Sequence, residues 1–198
     1  MLNEKIKALI FDCDGTLVDN MPLHYVSWSQ TLSKYGLAFE EERFYKFAGK
    51  PTVDIIELLA REQNISVDAP KVSEEKDSSY HDMEDEVQEM TKVMDLVREL
   101  HGVYPMSVGS GSTTKSVEAT LRRLELSKYF DYTVCKDDVS QPKPNPETFL
   151  KAADLMKVKP ESCVVFEDGV AGMEAAKTAG MFVIDIVNEN PREKLFSF

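Results

Sequence analysis

Two aspartates two residues apart, Asp12 and Asp14, follow the short apolar run Ala8-Leu9-Ile10 and precede Gly15. An apolar run of this length reads as a buried strand, and alternate residues of a strand point to the same side. Both carboxylates are therefore expected to project together from a strand's C-terminal end, where open α/β sheets bind their ligands. Like charges set side by side need a cation or a shared proton to compensate them. Gly15 lets the chain leave the strand through backbone angles that other residues resist. Asp and Gly are also ordinary turn residues, so the weight falls on what the rest of the chain brings to the same edge.

Three further groups of polar residues each follow an apolar run. Ser110-Gly111-Ser112 comes after the candidate strand Tyr104–Val108, and Glu167-Asp168 comes after Cys163–Phe166. Lys143, flanked by Pro142 and Pro144, follows the candidate strand Tyr132–Cys135 and its loop. In a parallel sheet all four groups meet on one edge, and together they suit phosphoryl transfer. Asp12 and Asp168 supply hard oxygen ligands for magnesium (Mg2+), which leaves Asp12 ionised as a nucleophile. Asp14 and Glu167 complete the candidate metal group, with Glu167 better suited to support the metal shell or Lys143 than to bind the ion directly. Lys143 adds a fixed positive charge, Ser110 a hydroxyl donor, and the amides around Gly111 and Ser112 an anion site at the start of a helix. Asp14 is the candidate general acid and base. Each piece alone has a plainer reading as a cap, a turn or a solvated loop; their order and placement carry the case.

The elements that must position these residues alternate. Helical apolar spacing marks a segment from Met90 to Leu100, and further helices carry Leu121, Phe149 and the small-residue run Ala171–Ala179. Strands alternating with helices predict an α/β sandwich, Rossmann-like, with a parallel sheet between helical layers. Residues 19–86 read as helix without strand and are expected to form a small inserted cap domain. The core domain is then 1–18 and 87–198. Within the insert, Thr52 is a candidate helix cap, and the charged stretch from Val72 to Glu86 is expected to be an exposed helix or a partly mobile connection.

Length and charge limit the alternatives. A chain of 198 residues suits one full core with a smaller insert, and a net charge of −12 argues against nucleic-acid or anionic-membrane partners. No apolar run approaches a membrane span, and the polar N-terminus has no secretory pattern, so a cytoplasmic protein, monomer or homodimer, is expected. Cys13, Cys135 and Cys163 lack metal-ligand spacing and read as buried thiols.

The constellation resembles the haloacid dehalogenase superfamily over essentially the whole chain. Its motifs stand as Phe11-Asp12-Cys13-Asp14-Gly15-Thr16-Leu17-Val18-Asp19, Val108-Gly109-Ser110-Gly111-Ser112, Lys143-Pro144 and Val165-Phe166-Glu167-Asp168-Gly169. The insert is similar to the family's small helical cap, and its start resembles the beta-phosphoglucomutase-like subgroup, with Leu23-His24, Trp28 and Gly49 in matching places. The resemblance implies a magnesium-dependent aspartyl-phosphate mechanism with Asp12 attacking, and a cap that closes over a small phosphorylated substrate. That mutase carries an arginine shortly after the cap glycine to grip a second phosphate, whereas this chain has Lys50. A lysine offers a point charge and no bidentate fork, which favours a phosphatase of a sugar monophosphate over a phosphosugar isomerase. His24 is open to two readings, a packing residue or a substrate and proton-relay contact. A receiver-type signalling or binding module also groups acids, a hydroxyl and a lysine, but it has no helical insert after the first strand.

Overall fold

A computed structural model of the chain describes residues 4–198. Strand β1 (Ala8–Phe11) leads through β2 (Val18–Asp19) into four helices, α1 (Met21–Ser33), α2 (Glu41–Lys46), α3 (Thr52–Gln63) and α4 (Ala69–His81), and then β3 (Gln88–Glu89). Alternation follows with α5 (Thr91–Leu100), β4 (Met106–Gly109), α6 (Thr114–Arg123), β5 (Tyr132–Val134) and α7 (Glu147–Leu155). The chain ends with β6 (Cys163–Glu167), α8 (Val170–Thr178), β7 (Phe182–Asp185) and α9 (Pro191–Ser197). Five strands form one parallel sheet in the order β5-β4-β1-β6-β7, as the alternating pattern predicts.

The period-2 geometry of β1 divides the core. Leu9 and Phe11 join a cluster built with α5, α6 and α9, while Ala8 and Ile10 join a second cluster built with α7 and α8. All four are buried, which explains a strand with no polar alternation. Phe11 stacks on Phe166 of β6 at 4.5 Å between ring centroids, in the register that pairs the two residues. Helices therefore cover both faces of the sheet, and every strand delivers its C-terminal end to the same edge.

Helices α1 to α4 enclose a third cluster centred on Trp28, Leu32, Phe44, Ile56, Leu59 and Val72. Chain entry and exit are tied by the antiparallel pairing of Val18 with Glu89 and Asp19 with Gln88. A two-residue ribbon carries no periodicity, so the sequence offers no sign of it. Two expectations need correction. The stretch from Val72 is helical through His81, as expected, but it is not simply exposed: Ala69, Val72, Lys76 and Tyr80, spaced three and four apart, form the buried face of α4. The exposed charges on its other side masked that stripe. Thr52 is the first residue of α3, after Pro51, and makes no side-chain cap.

Candidate active site

Register and alternation bring the acids together. Asp12 continues the phase of Ala8 and Ile10, and its N–H donates to the Phe166 carbonyl at 3.0 Å. Glu167, in phase with Cys163 and Val165, emerges beside it on the same face. The out-of-phase Cys13 turns into the opposite cluster, as expected of a buried thiol. The loop between β5 and α7 carries Lys143 beneath both acids, its ammonium 4.6 Å from the centre of the Phe149 ring. Lys143 Nζ donates to Asp12 Oδ1 at 2.6 Å and to Glu167 Oε2 at 2.8 Å. The three side chains are 2–9% exposed, so this is a buried ionic triad.

Asp168 joins from the start of the next turn, where the Thr16 hydroxyl donates to its Oδ1 at 3.0 Å. Ligand oxygens of Asp12, Glu167 and Asp168 lie within 4.8 Å of one another. Three carboxylates against one ammonium leave an excess of negative charge out of water, which a divalent cation would neutralise; the all-oxygen donor set suits a hard ion such as magnesium. Burial and the Glu167 charge push Asp168 up to about 8. Burial and Glu167 also raise Asp12 well above the usual carboxylate range, with Lys143 offsetting part of the rise. Burial alone would lower Lys143, yet Asp12 and Glu167 carry it above the usual lysine value.

Asp14, a candidate ligand from its spacing, directs its carboxylate elsewhere and is absent from the acid group. The Ser112 hydroxyl donates to Oδ2 at 2.5 Å and the Asn20 amide to Oδ1 at 2.6 Å. His24 Nε2 stands 3.6 Å from the same Oδ1. Burial would raise its titration, but His24, Ser112 and Asn20 outweigh it and hold the carboxyl far below the usual range. Two adjacent aspartates thus meet opposite environments, one facing a cation site and one a set of donors.

His24 stacks on Tyr80 at 3.9 Å between ring centroids, and its Nδ1 lies 3.2 Å from Lys76 Nζ. An ammonium only donates, so Nδ1 accepts and the ring proton stays on Nε2, facing Asp14. Burial and the Lys76 charge lower the His24 titration. The ring is packed on Tyr80 and met by polar groups at both of its nitrogens.

The cavity over the acids is lined by Asp12, Asp14, Gly111, Ser112 and Lys143 from the sheet edge. From α1 to α4 come the apolar walls Trp28, Phe44, Phe47 and Ile55 and the polar His24, Lys50, Thr52 and Lys76. Ser110 is sealed beneath, 1% exposed, and its Oγ accepts the Ser112 N–H at 3.0 Å. Lys50 is exposed at the rim with its ammonium 4.8 Å from the Phe47 ring centre. Three polar lining or supporting residues, Lys76, Asn20 and Tyr80, were not singled out from the sequence. Lys76 is 5% exposed yet reaches the cavity. Asn20 bridges Asp14, Tyr80 Oη at 2.7 Å and the Gly15 N–H at 3.1 Å. Asn20 and His24, four apart at the entry to a helix, were a legible hint; Lys76 and Tyr80 lay hidden in the charged run.

Comparison with known proteins adds to this geometry. Residues 9–186 match the sequence pattern described as haloacid dehalogenase-like hydrolase. The chain is 38% identical to a fructose-1-phosphate phosphatase of Escherichia coli (strain K12), covering 92% of this chain and 97% of that protein. It is 31% identical to a phosphorylated carbohydrates phosphatase of Thermotoga maritima, covering 89% and 82%. Its fold is similar to a beta-phosphoglucomutase from Clostridium difficile, with a TM-score of 0.79 and 22% identity over 97% of each chain.

Proposed function

The chain belongs to the haloacid dehalogenase-like hydrolase family, and from that premise we propose that it is a magnesium-dependent phosphatase of a small sugar monophosphate. The observation that carries this reading is the division of labour between neighbouring carboxylates, Asp12 against Lys143 and the acid group, Asp14 among hydrogen-bond donors. Divergent environments around paired acids separate a nucleophile from an acid–base group.

Asp12 attacks the phosphorus and becomes an aspartyl phosphate, displacing the sugar alkoxide. Asp14 gives that alkoxide its proton, then takes one from the water that attacks the aspartyl phosphate. Asp14 rests ionised, the form needed for the second step; the negative phosphate, on arrival, raises its affinity for the proton used in the first. Lys143 holds Asp12 in place and, with the Ser112 amide region, stabilises charge on the phosphoryl oxygens. Asp12 and Asp168, with Glu167 in support, would hold magnesium, which would supply charge neutralisation and polarisation of the phosphoryl group.

Residues 19–86 act in this reading as a cap over the core of 1–18 and 87–198. Trp28 and Phe47 offer flat apolar walls to a sugar ring, and Lys50, Thr52 and Lys76 offer polar contacts to its hydroxyls. Relatives named as sugar-phosphate phosphatases favour this substrate class. Lys50 in place of a bidentate arginine favours hydrolysis over isomerisation. Three free, buried cysteines fit the reducing cytoplasm.

The test is phosphate release from a panel of hexose, pentose and polyol monophosphates with and without magnesium, beside Asp12→Asn. Magnesium-dependent release lost in Asp12→Asn supports the reading. No release from any ester, or release that survives Asp12→Asn, overturns it.

A further inference from the structure

Gly172 stands inside α8 among Val170, Ala171, Met173, Glu174, Ala175 and Ala176. Gly172 lies in the first turn, where glycine is still the poorer helix former than alanine, so helix formation gives no reason for it. Space does. A Cβ built on Gly172 would overlap Glu167 Oε2 and the carboxyl carbon, and would stand 2.8 Å from Glu167 Cγ. Glu167 is folded back over the first turn of this helix. Its Oε1 accepts the Gly169 N–H at 2.9 Å and the Asp168 N–H at 3.2 Å, while Oε2 meets Lys143 at 2.8 Å. Both oxygens are held by fixed partners in a site 3% exposed, so the carboxylate has no alternative pose to retreat to.

We propose that Gly172 is a positioning residue for the phosphoryl-transfer reaction: its missing side chain admits Glu167 into the turn from which it aligns Lys143 on Asp12. Gly172 touches no reacting group and acts through Glu167 alone. This rests on the phosphatase reading for its kinetic consequence, but the steric coupling of the two residues stands independently of it. A methyl group at 172 displaces the Glu167 carboxylate, and Lys143 loses one of the two anchors that fix it against the nucleophile.

The experiment is a double-mutant cycle of Gly172→Ala and Glu167→Ala in the full chain, read by thermal unfolding and by kcat and KM. Gly172→Ala is expected to lower kcat about a hundredfold with KM changed far less, the scale of an ångström-level misplacement. In the Glu167→Ala background the same substitution is expected to change kcat less than twofold and to leave the melting temperature level or raised. If Gly172→Ala alone does not fold but the double variant does, the steric coupling is upheld. The proposal is overturned if Gly172→Ala keeps full kcat, if it costs as much without Glu167 as with it, or if both variants fail to fold. Should the wild type release no phosphate, the functional reading fails while the unfolding arm still decides the coupling.

Discussion

The ammonium of Lys143 lies 2.6 Å from the carboxylate of Asp12, a residue 131 positions earlier in the chain. Among the described residues only Glu167 shares that ammonium's donors, and all three groups are withdrawn from water. Removing one partner of such a buried set leaves uncompensated charge, which costs about 3–5 kcal/mol. Lys143→Ala is therefore expected to lower stability in chemical denaturation by that amount. Its kcat should fall by about 10²–10³, the scale for loss of one preorganised electrostatic group.

Asp14 takes its hydrogen bonds from Ser112 and Asn20 and not from Lys143, so its loss leaves the Lys143 ion pairs in place. Asp14→Asn retains the shape and is expected to lower kcat by about 10²–10⁴, the range of general acid–base catalysis. Because Ser112, Asn20 and His24 stabilise the ionised carboxylate, the melting temperature at neutral pH should fall as well, while circular dichroism keeps the folded signature. A variant with near-normal kcat would remove Asp14 from the mechanism.

Titration of Asp168 gives stability a pH dependence in protein stripped of divalent cations. Its folded-state value of about 8 lies above the unfolded carboxyl value of about 4. A raised value means the folded state binds the proton more tightly, so this contribution is fully present below about pH 4 and is lost as pH rises through about 8. The melting temperature of stripped protein should thus fall between pH 5 and 9. A cation can replace the lost proton, so stabilisation by added magnesium should grow over the same interval. Asp168→Asn should flatten both trends in differential scanning fluorimetry.

Lys76 is buried at the cavity wall, where burial pulls its titration below the usual lysine value. Its ammonium faces His24, the half-exposed Asp77 and the rings of Trp28 and Tyr80. Lys76→Met keeps the length and removes the buried charge. A higher melting temperature is expected, because apolar replacement of an underpaired buried ion is commonly stabilising. KM for the sugar phosphate should rise about tenfold or more, since one charge-assisted hydrogen bond to substrate is worth about 1.5–3 kcal/mol. An unchanged KM would show that the lysine serves packing alone.

The sequence by itself determined the α/β architecture and the group of acids at its edge. Short apolar runs such as Ala8–Phe11 and Cys163–Phe166 announce buried strands, and a parallel sheet turns every strand end to one side. Period-2 alternation even assigned Cys13 to the face away from Asp12. These features are local, written in residues a few positions apart. The orientation of Asp14 toward Ser112, the placing of Lys76 beside His24, the Asn20–Tyr80 bridge and the seat of Glu167 against Gly172 were decided by tertiary structure. The contacts of Asp14, Lys76 and Asn20 join residues 98, 52 and 60 positions apart. Gly172 is only one turn beyond Glu167 in its strand-to-helix corner, but its role depends on Lys143 drawing the carboxylate inward. No periodicity reports such pairings, because they exist only once packed elements exclude water and leave polar groups only one another to meet.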